Sequence, residues 1–290
     1  VDVFTDCPFG GNPLAVVLEA EGLTGDDMQA IAREFNLSET TFVLPPKDPA
    51  NTAQVRIFTP GRELPFAGHP NVGTAFVLAR EGRLFGKAAT GTLRFEEKAG
   101  IVPVEILVDS DHPCGARLTA PQAFARGNDI APPVFAPCVG LQADDIDISA
   151  HPPLLASAGM VFPVARLTGM DALTRATGDG AAMARHPEMC GHVFLYILDP
   201  TRPGGIRARM FAPGLGIAED PATGGAAAAL TGLMGSLATA DGTHDFQIVQ
   251  GVEMGRPSLI ETAADVSGGD VTAIRVGGSC APMMEGALDA

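Results

Sequence analysis

Two short blocks that recur half a chain apart constrain this sequence more than any other feature. Arg56-Ile57-Phe58-Thr59-Pro60-Gly61 resembles Arg209-Met210-Phe211-Ala212-Pro213-Gly214, 153 positions on (56 to 209). His69-Pro70-Asn71-Val72-Gly73-Thr74-Ala75 lines up with Asp220-Pro221-Ala222-Thr223-Gly224-Gly225-Ala226, 151 positions on (69 to 220). The blocks keep their order, and both offsets are close to half of the 290-residue length. Self-similarity at a fixed period is the mark of internal repetition. In each half a strand ends in a Pro-Gly turn, and then a polar residue, a proline and a run of small residues open a helix. The chain is expected to be two copies of one α+β domain, placed at residues 1–121 and 122–269, with Pro- and Ala-rich Pro121 to Pro137 as the linker.

Composition narrows the function classes. The chain is 46% hydrophobic and 18% charged, so it buries enough apolar surface to fold. Its net charge of -15, from 34 acidic and 19 basic residues, repels phosphate backbones and anionic lipid, so neither nucleic acid nor a membrane is an expected partner. The 20 uncharged residues between Asp220 and Asp241 are long enough to span a bilayer, but they are mostly Ala, Gly, Thr and Ser. A helix without a polar face is better read as one buried inside a domain. Cys7, Cys114, Cys138, Cys190 and Cys280 are far apart and form no CxxC, which suits idle thiols in a reducing cytoplasm. No HExxH motif or His-x3-5-His pair is read among the six histidines, and no GxSxG elbow or GxGxxG fingerprint occurs, so neither a metal nor a dinucleotide cofactor is expected. The opening Val1-Asp2-Val3-Phe4 alternates like a strand, without a basic region or an apolar signal core. With no initiator Met, a residue or more is expected to precede it.

Local signals place the elements. Thr24 caps a helix with Asp26 and Asp27 in its first turn, Met28, Ile31, Ala32 and Phe35 form its apolar face, and Asn36 stops it. Strands are expected over Leu14 to Glu19, Thr41 to Leu44, Ala53 to Thr59, Gly91 to Glu97 and Ile101 to Asp109, with a helix over Pro70 to Ala79. In the second half, helical stretches near Asp144 and over Met170 to Ala184 precede strands at His192 to Asp199 and Arg207 to Phe211. The uncharged helix follows, then strands at Asp245 to Gln250, Ser258 to Thr262 and Val271 to Val276.

The helix openings suggest chemistry. Small residues leave first-turn N–H groups accessible, and with the helix dipole these make an anion site. His69 and Asp220 stand where their side chains project over such a site. If the two copies pack about a pseudo-twofold, both helix starts face one cleft, and a small carboxylated substrate fits between them. Small residues also simply let a helix pack closely against a sheet. Glu39, between a helix end and an apolar strand, reads from composition as a solvated loop residue. In a dry cleft the same carboxyl has its pKa raised from about 4.3 toward neutrality and shuttles protons.

Several motifs together resemble the PhzF family of phenazine-biosynthesis-like isomerases. They are Val1-Asp2-Val3-Phe4-Thr5 with Gly11-Asn12-Pro13-Leu14-Ala15-Val16, then Leu37-Ser38-Glu39-Thr40 and Phe66-Ala67-Gly68-His69-Pro70. Glu219-Asp220-Pro221-Ala222-Thr223-Gly224 and Gln250-Gly251 with Gly255-Arg256-Pro257-Ser258 follow in family order. The resemblance implies a diaminopimelate-epimerase-like fold: two pseudo-symmetric domains, each a curved, mostly antiparallel sheet wrapped around a central helix, with the active site in the cleft between them. Residues after about 270 are open between the domains, a crossover strand returning to the first suiting that fold. The resemblance further implies cofactor-independent proton transfer between carbons, with Glu39 as general acid/base and His69, Asp220, Gly68, Gly224, Gly225 and Asn12 at substrate-binding positions. It implies homodimerisation as well. Where the family's second motif ends Thr-Gly-Ser-Ala, this chain has Thr223-Gly224-Gly225-Ala226, which leaves the substrate open. Two readings compete with the isomerase. One is a non-catalytic small-molecule-binding relative. The other is an amino-acid epimerase or racemase, whose two thiols would occupy the positions held here by His69 and Asp220.

Overall fold

The first helix shows how directly local sequence dictates structure. In this computed structural model, which describes residues 1–199, 201–202 and 204–288, α1 runs over Gly25–Phe35. The Thr24 hydroxyl accepts from the Asp27 N–H, and the Asp27 carboxylate accepts from the Thr24 N–H at 2.8 Å, a reciprocal cap. Asn36 ends the helix in the left-handed region, at φ 51°. Met28 and Ala32 are buried among Ala20, Phe42 and Phe58.

The chain divides into two units, one of residues Val1–Leu118 and from Gly277 onward, the other of Thr119–Val276. The first holds β1 (Asp2–Val3), β2 (Asn12–Val17), α1, β3 (Glu39–Leu44), β4 (Ala53–Phe58), β5 (Glu63–Leu64) and α2 (Gly68–Glu81). A small hairpin, β6 (Arg83–Leu84) and β7 (Lys87–Ala88), leads to β8 (Thr92–Glu97), β9 (Gly100–Asp109) and β10 (His112–Thr119). The second holds β11 (Ala125–Asp129), α3 (Pro132–Phe135), β12 (Leu154–Ser157), β13 (Val161–Arg166), α4 (Met170–Arg175), α5 (Gly180–Ala184) and β14 (Val193–Leu198). β15 (Gly205–Ala212), β16 (Ile217–Asp220), α6 (Gly224–Ser236), β17 (Gly242–Gln250) and β18 (Ser258–Ser267) complete it, with the first residues of β19 (Asp270–Ala281). From Gly277 β19 counts with the first unit, where Cys280 and Ala281 pair with Val3 and Asp2. Residues 289–290 of the expected returning strand lie outside the described residues.

Each unit repeats one pairing scheme. In the first, β1 is antiparallel to β2, β2 parallel to β3, β3 antiparallel to β4, β4 parallel to β8 and β8 antiparallel to β9. In the second, β12, β13, β14, β15, β17 and β18 follow the same series of pairings. Each parallel step needs a crossover; α1 supplies one and α2 the other, as α4–α5 and α6 do in the second unit. The short strands β5 and β16 fold back antiparallel on β4 and β15. The recurring sequence block also recurs as structure. Arg56 pairs with Glu63 through two bonds of 2.8 and 2.9 Å and lies 5.0 Å above the Phe58 ring. Arg209 pairs with Glu219 through two of 2.8 Å and lies 4.7 Å above Phe211.

The two uncharged helices are core elements. Every residue from His69 through Phe76 in α2, and from Ala226 through Leu233 in α6, is buried, as expected of helices with no polar face. α2 packs on β1, β2, β3 and β9; α6 on β12, β13, β17 and β18. Glycine permits the approach: a Cβ at Gly73 would sit 2.6 Å from Leu14 Cδ2 and Val3 Cγ2, and one at Gly232 would sit 2.4 Å from Phe124 Cδ2. The buried hydroxyls satisfy one another, Thr74 with Thr41 at 2.8 Å and Thr231 with Thr262 at 2.6 Å. No described helix is long and apolar enough to cross a membrane.

Two local expectations need correction. The Pro- and Ala-rich stretch from Pro121 to Pro137 is not a bare linker: β11 pairs with β12, and α3 leads Phe135, Ala136, Cys138 and Val139 into a buried cluster. Apolar residues anchor a segment even where periodicity is absent. Met170 to Ala184 is not one helix. The Thr177 N–H donates to Val139 O and that of Asp179 to Cys138 O, so the chain docks there between α4 and α5, and Asp179 caps α5 through the Ala182 N–H.

Candidate functional site

In the first unit the topology gathers four of the expected residues. β3 begins at Glu39, two residues earlier than the sequence pattern suggests, because Glu39 pairs in parallel with Leu14 on β2. Asn12 is the first residue of β2 and is buried; Gly68 and His69 open α2. His69 Nε2 lies 3.5 Å from Glu39 Oε2, and His69 Nδ1 lies 3.5 Å from Asn12 Nδ2. An amide nitrogen only donates, so Asn12 assigns Nδ1 as the acceptor and leaves the ring proton on Nε2, on the Glu39 side. Burial pushes the His69 pKa down to about 3, so the ring is neutral at pH 7 and its contact with Glu39 is not an ion pair. At 3.5 Å this contact, like that with Asn12, is at the long end for a hydrogen bond, and His69 Nε2 has no hydrogen-bond partner. A buried donor therefore stands beside a carboxylate whose side chain is 14% exposed.

The start of α2 adds to this polarity. Its N-cap is Ala67, which offers no side-chain acceptor, and no acidic residue lies in its first turn. α1, by contrast, is capped by Thr24 and Asp27. The α2 start keeps the electropositive character that a cap would quench.

The other three expected residues, Asp220, Gly224 and Gly225, lie in the second unit. Asp220 does not start a helix, as alignment with His69 implies. It ends β16, and α6 begins later, at Gly224. Gln250 explains the delay: its Nε2 donates to Asp220 O at 2.7 Å and its Oε1 accepts from the Thr223 N–H at 3.1 Å. These bonds hold residues 220–223 outside the helix. The Thr223 hydroxyl donates to Asp220 Oδ2, so α6 starts without a side-chain cap. Gly251 closes the lock. It adopts φ 74°, and a Cβ there would meet Pro221 O at 2.6 Å and Arg256 O at 2.4 Å. The Gln250-Gly251 motif thus shapes the Asp220 turn, a role that its sequence did not reveal.

The expectation that no two histidines stand at zinc-ligand spacing is incorrect, since His186-x5-His192 is such a pair. Here both His192 ring nitrogens face carbonyl oxygens, Cys190 O at 3.0 Å and Val161 O at 2.8 Å.

Comparison with known proteins settles kinship. Residues 1–286 match the family described as phenazine biosynthesis-like protein. The chain belongs to that family. An uncharacterized isomerase of Mesorhizobium japonicum is 38% identical, with 99% of this chain and 96% of that protein covered. The trans-2,3-dihydro-3-hydroxyanthranilate isomerase of Pseudomonas aeruginosa is 34% identical, again covering 99% and 96%. Among solved structures, a Bacillus anthracis phenazine biosynthesis protein of the PhzF family superposes with a TM-score of 0.83 at 27% identity, covering 96% of this chain and 93% of that one. A probable proline racemase of Agrobacterium radiobacter shares the fold, with a TM-score of 0.56 at 15% identity over 88% and 78%. This member of the phenazine biosynthesis-like family is an enzyme of the isomerase class. Its departure at Gly225 has a structural counterpart: a Cβ there would lie 3.2 Å from Cζ of Phe162, a fully buried ring packed edge-on against His192. The ring would have to give by a few tenths of an ångström to admit a side chain at this position.

Proposed function

We propose that the protein moves a proton between two carbons of a small carboxylated substrate, without a cofactor, with Glu39 as the general acid/base at the uncapped start of α2. The Glu39–His69 pair carries this reading. A carboxylate next to a neutral imidazole N–H, with a helix N-terminus at the same place, has the parts such a transfer needs. The first-turn N–H groups of α2 hold the substrate carboxylate. Glu39 takes a proton from one carbon and becomes the acid that returns it to another, so the enzyme ends as it began. The His69 Nε2–H donates to the oxygen on which negative charge develops when the proton leaves. Because burial keeps His69 neutral, it faces Glu39 as a hydrogen-bond donor and not as a cation. Asp220, at the end of β16, is proposed as a further substrate-binding residue. The neighbouring trans-2,3-dihydro-3-hydroxyanthranilate isomerase makes that compound the first substrate to test.

The test is solvent exchange. Incubation with trans-2,3-dihydro-3-hydroxyanthranilate and a panel of related carboxylates in deuterium oxide is expected to place solvent deuterium at a C–H position, read by NMR. Binding across the panel without exchange in any member would overturn the isomerase reading and favour a non-catalytic binder.

A further inference from the structure

The turn that carries Asp220 is held by a side chain whose hydrogen bonds each have only one possible direction. Gln250 ends β17 and is fully buried. Its amide oxygen faces the Thr223 N–H at 3.1 Å, and its amide nitrogen faces Asp220 O at 2.7 Å. A backbone N–H only donates and a carbonyl only accepts, so the amide cannot be turned over. The same nitrogen lies 3.2 Å from Thr223 Oγ1. Its second proton goes to that oxygen, and the Thr223 hydroxyl proton goes on to Asp220 Oδ2. The chain of bonds runs one way, from Gln250 through Thr223 to the carboxylate.

Thr223 gives up an ordinary role to join this chain. It is the N-cap of α6, where a threonine hydroxyl commonly accepts from a first-turn N–H, as Thr24 does at α1. Here it makes no cap bond. A hydroxyl kept for helix stability would face the helix; this one faces the carboxylate. The repeat marks the supporting position as well. Glu97 stands 153 positions before Gln250 (97 to 250), the offset of Arg209 from Arg56, and ends β8 as Gln250 ends β17. β8 runs parallel to β4 as β17 does to β15. In the first unit the position holds a carboxyl with both oxygens buried, and burial pushes its pKa up to about 8, with Asn71 acting the other way. In the second it holds an amide, whose two protons serve Asp220 O and Thr223 Oγ1 together, which no carboxyl can do. We propose that Gln250 and Thr223 are positioning residues for the reaction, fixing the orientation of the Asp220 carboxylate through this directed chain and presenting it to the substrate as an acceptor.

The inference rests on the proposed substrate-binding role of Asp220, and one arm of its test needs no turnover. In NMR spectra of the whole protein, the two Gln250 side-chain amide protons are expected to be distinct and protected from exchange. In Thr223→Val, which keeps the shape and removes no cap bond, the proton facing residue 223 is expected to move upfield while the one on Asp220 O stays. Thr223→Ser, which restores the hydroxyl, is expected to restore the pattern. With trans-2,3-dihydro-3-hydroxyanthranilate as the probe, Thr223→Val and Gln250→Glu are each expected to raise KM about tenfold with kcat little changed. Thr223→Ser is expected to stay close to the wild type. In an Asp220→Ala background Thr223→Val should add nothing, because the hydroxyl has no carboxylate left to hold. Gln250 amide protons that keep their positions in Thr223→Val overturn the proposal. So does a Thr223→Val effect on KM that persists in full in Asp220→Ala. Wild-type KM in Thr223→Val, with KM raised in Asp220→Ala, sinks this inference alone; wild-type KM in Asp220→Ala sinks the binding role of Asp220 and this inference with it. Absence of turnover in the wild type counts against the isomerase reading and leaves the amide protons to decide this one.

Discussion

Among single residues, the sharpest contrast is between Glu39 and His69, 3.5 Å apart. Glu39→Gln keeps shape and hydrogen-bonding capacity but removes the base, so kcat is expected to fall by about 10²–10⁴ with KM little changed. A comparable fall in binding of the substrate carboxylate would instead make Glu39 a binding group. His69 should not titrate in the ordinary imidazole range. Its ring resonances are expected to stay constant from pH 7 down to 4.5, because burial holds its pKa at about 3; a transition near 6.5 would mean a solvated ring. The sequence made these two residues visible only through the family motifs, since composition reads Glu39 as a loop glutamate. Glu97 gave no signal at all: in Glu96-Glu97-Lys98 nothing separates the buried carboxyl from its charged neighbours, because burial at a strand end is decided by what packs on top.

At the level of elements, the duplicated Arg-x-Phe block makes a comparative prediction possible. The Arg209 side chain is 8% exposed against 26% for Arg56. Arg209 Nη1 also donates to the carbonyls of Leu173, Thr174 and Ala176, closing the end of α4. Arg209→Ala is expected to cost about 3–5 kcal/mol, since it removes a buried guanidinium together with the donor that three carbonyls share, whereas Arg56→Ala should cost only about 1 kcal/mol. Equal losses in denaturant unfolding would refute the burial argument. Gly73→Ala should cost about 1–3 kcal/mol, because the new methyl must displace the buried Leu14 and Val3 side chains. The core helices were legible from their lack of charge and the duplicated block from its spacing. The late start of α6 was not, because it depends on Gln250, far along the chain, bonding both ends of the Asp220 turn.

For the molecule as a whole, pH stability follows from the buried histidines. His69, His151 and His192 all have their pKa lowered by burial. Below about pH 6.5 the unfolded chain binds protons that the native histidines refuse, so stability falls as pH falls, by up to about 1.4 kcal/mol per pH unit for each histidine. Glu97 works the other way, its raised pKa making the native state bind the extra proton between about 4.5 and 8. The melting temperature is expected to drop steeply from pH 6.5 to 4.5, and the drop should steepen in Glu97→Gln. The recurrence read at offsets of 151 and 153 reappears as a repeated pairing scheme in the two units, while the length and register of individual strands had to come from their partners. The central claim, that Glu39 is the proton carrier at the α2 start, is tested most directly by a crystal structure with a bound carboxylated substrate or product. The ligand carboxylate is expected at the Gly68–His69 end of α2, with a reacting carbon within about 3.5 Å of a Glu39 carboxyl oxygen. A ligand bound elsewhere, or Glu39 turned away from every exchangeable carbon, would contradict it.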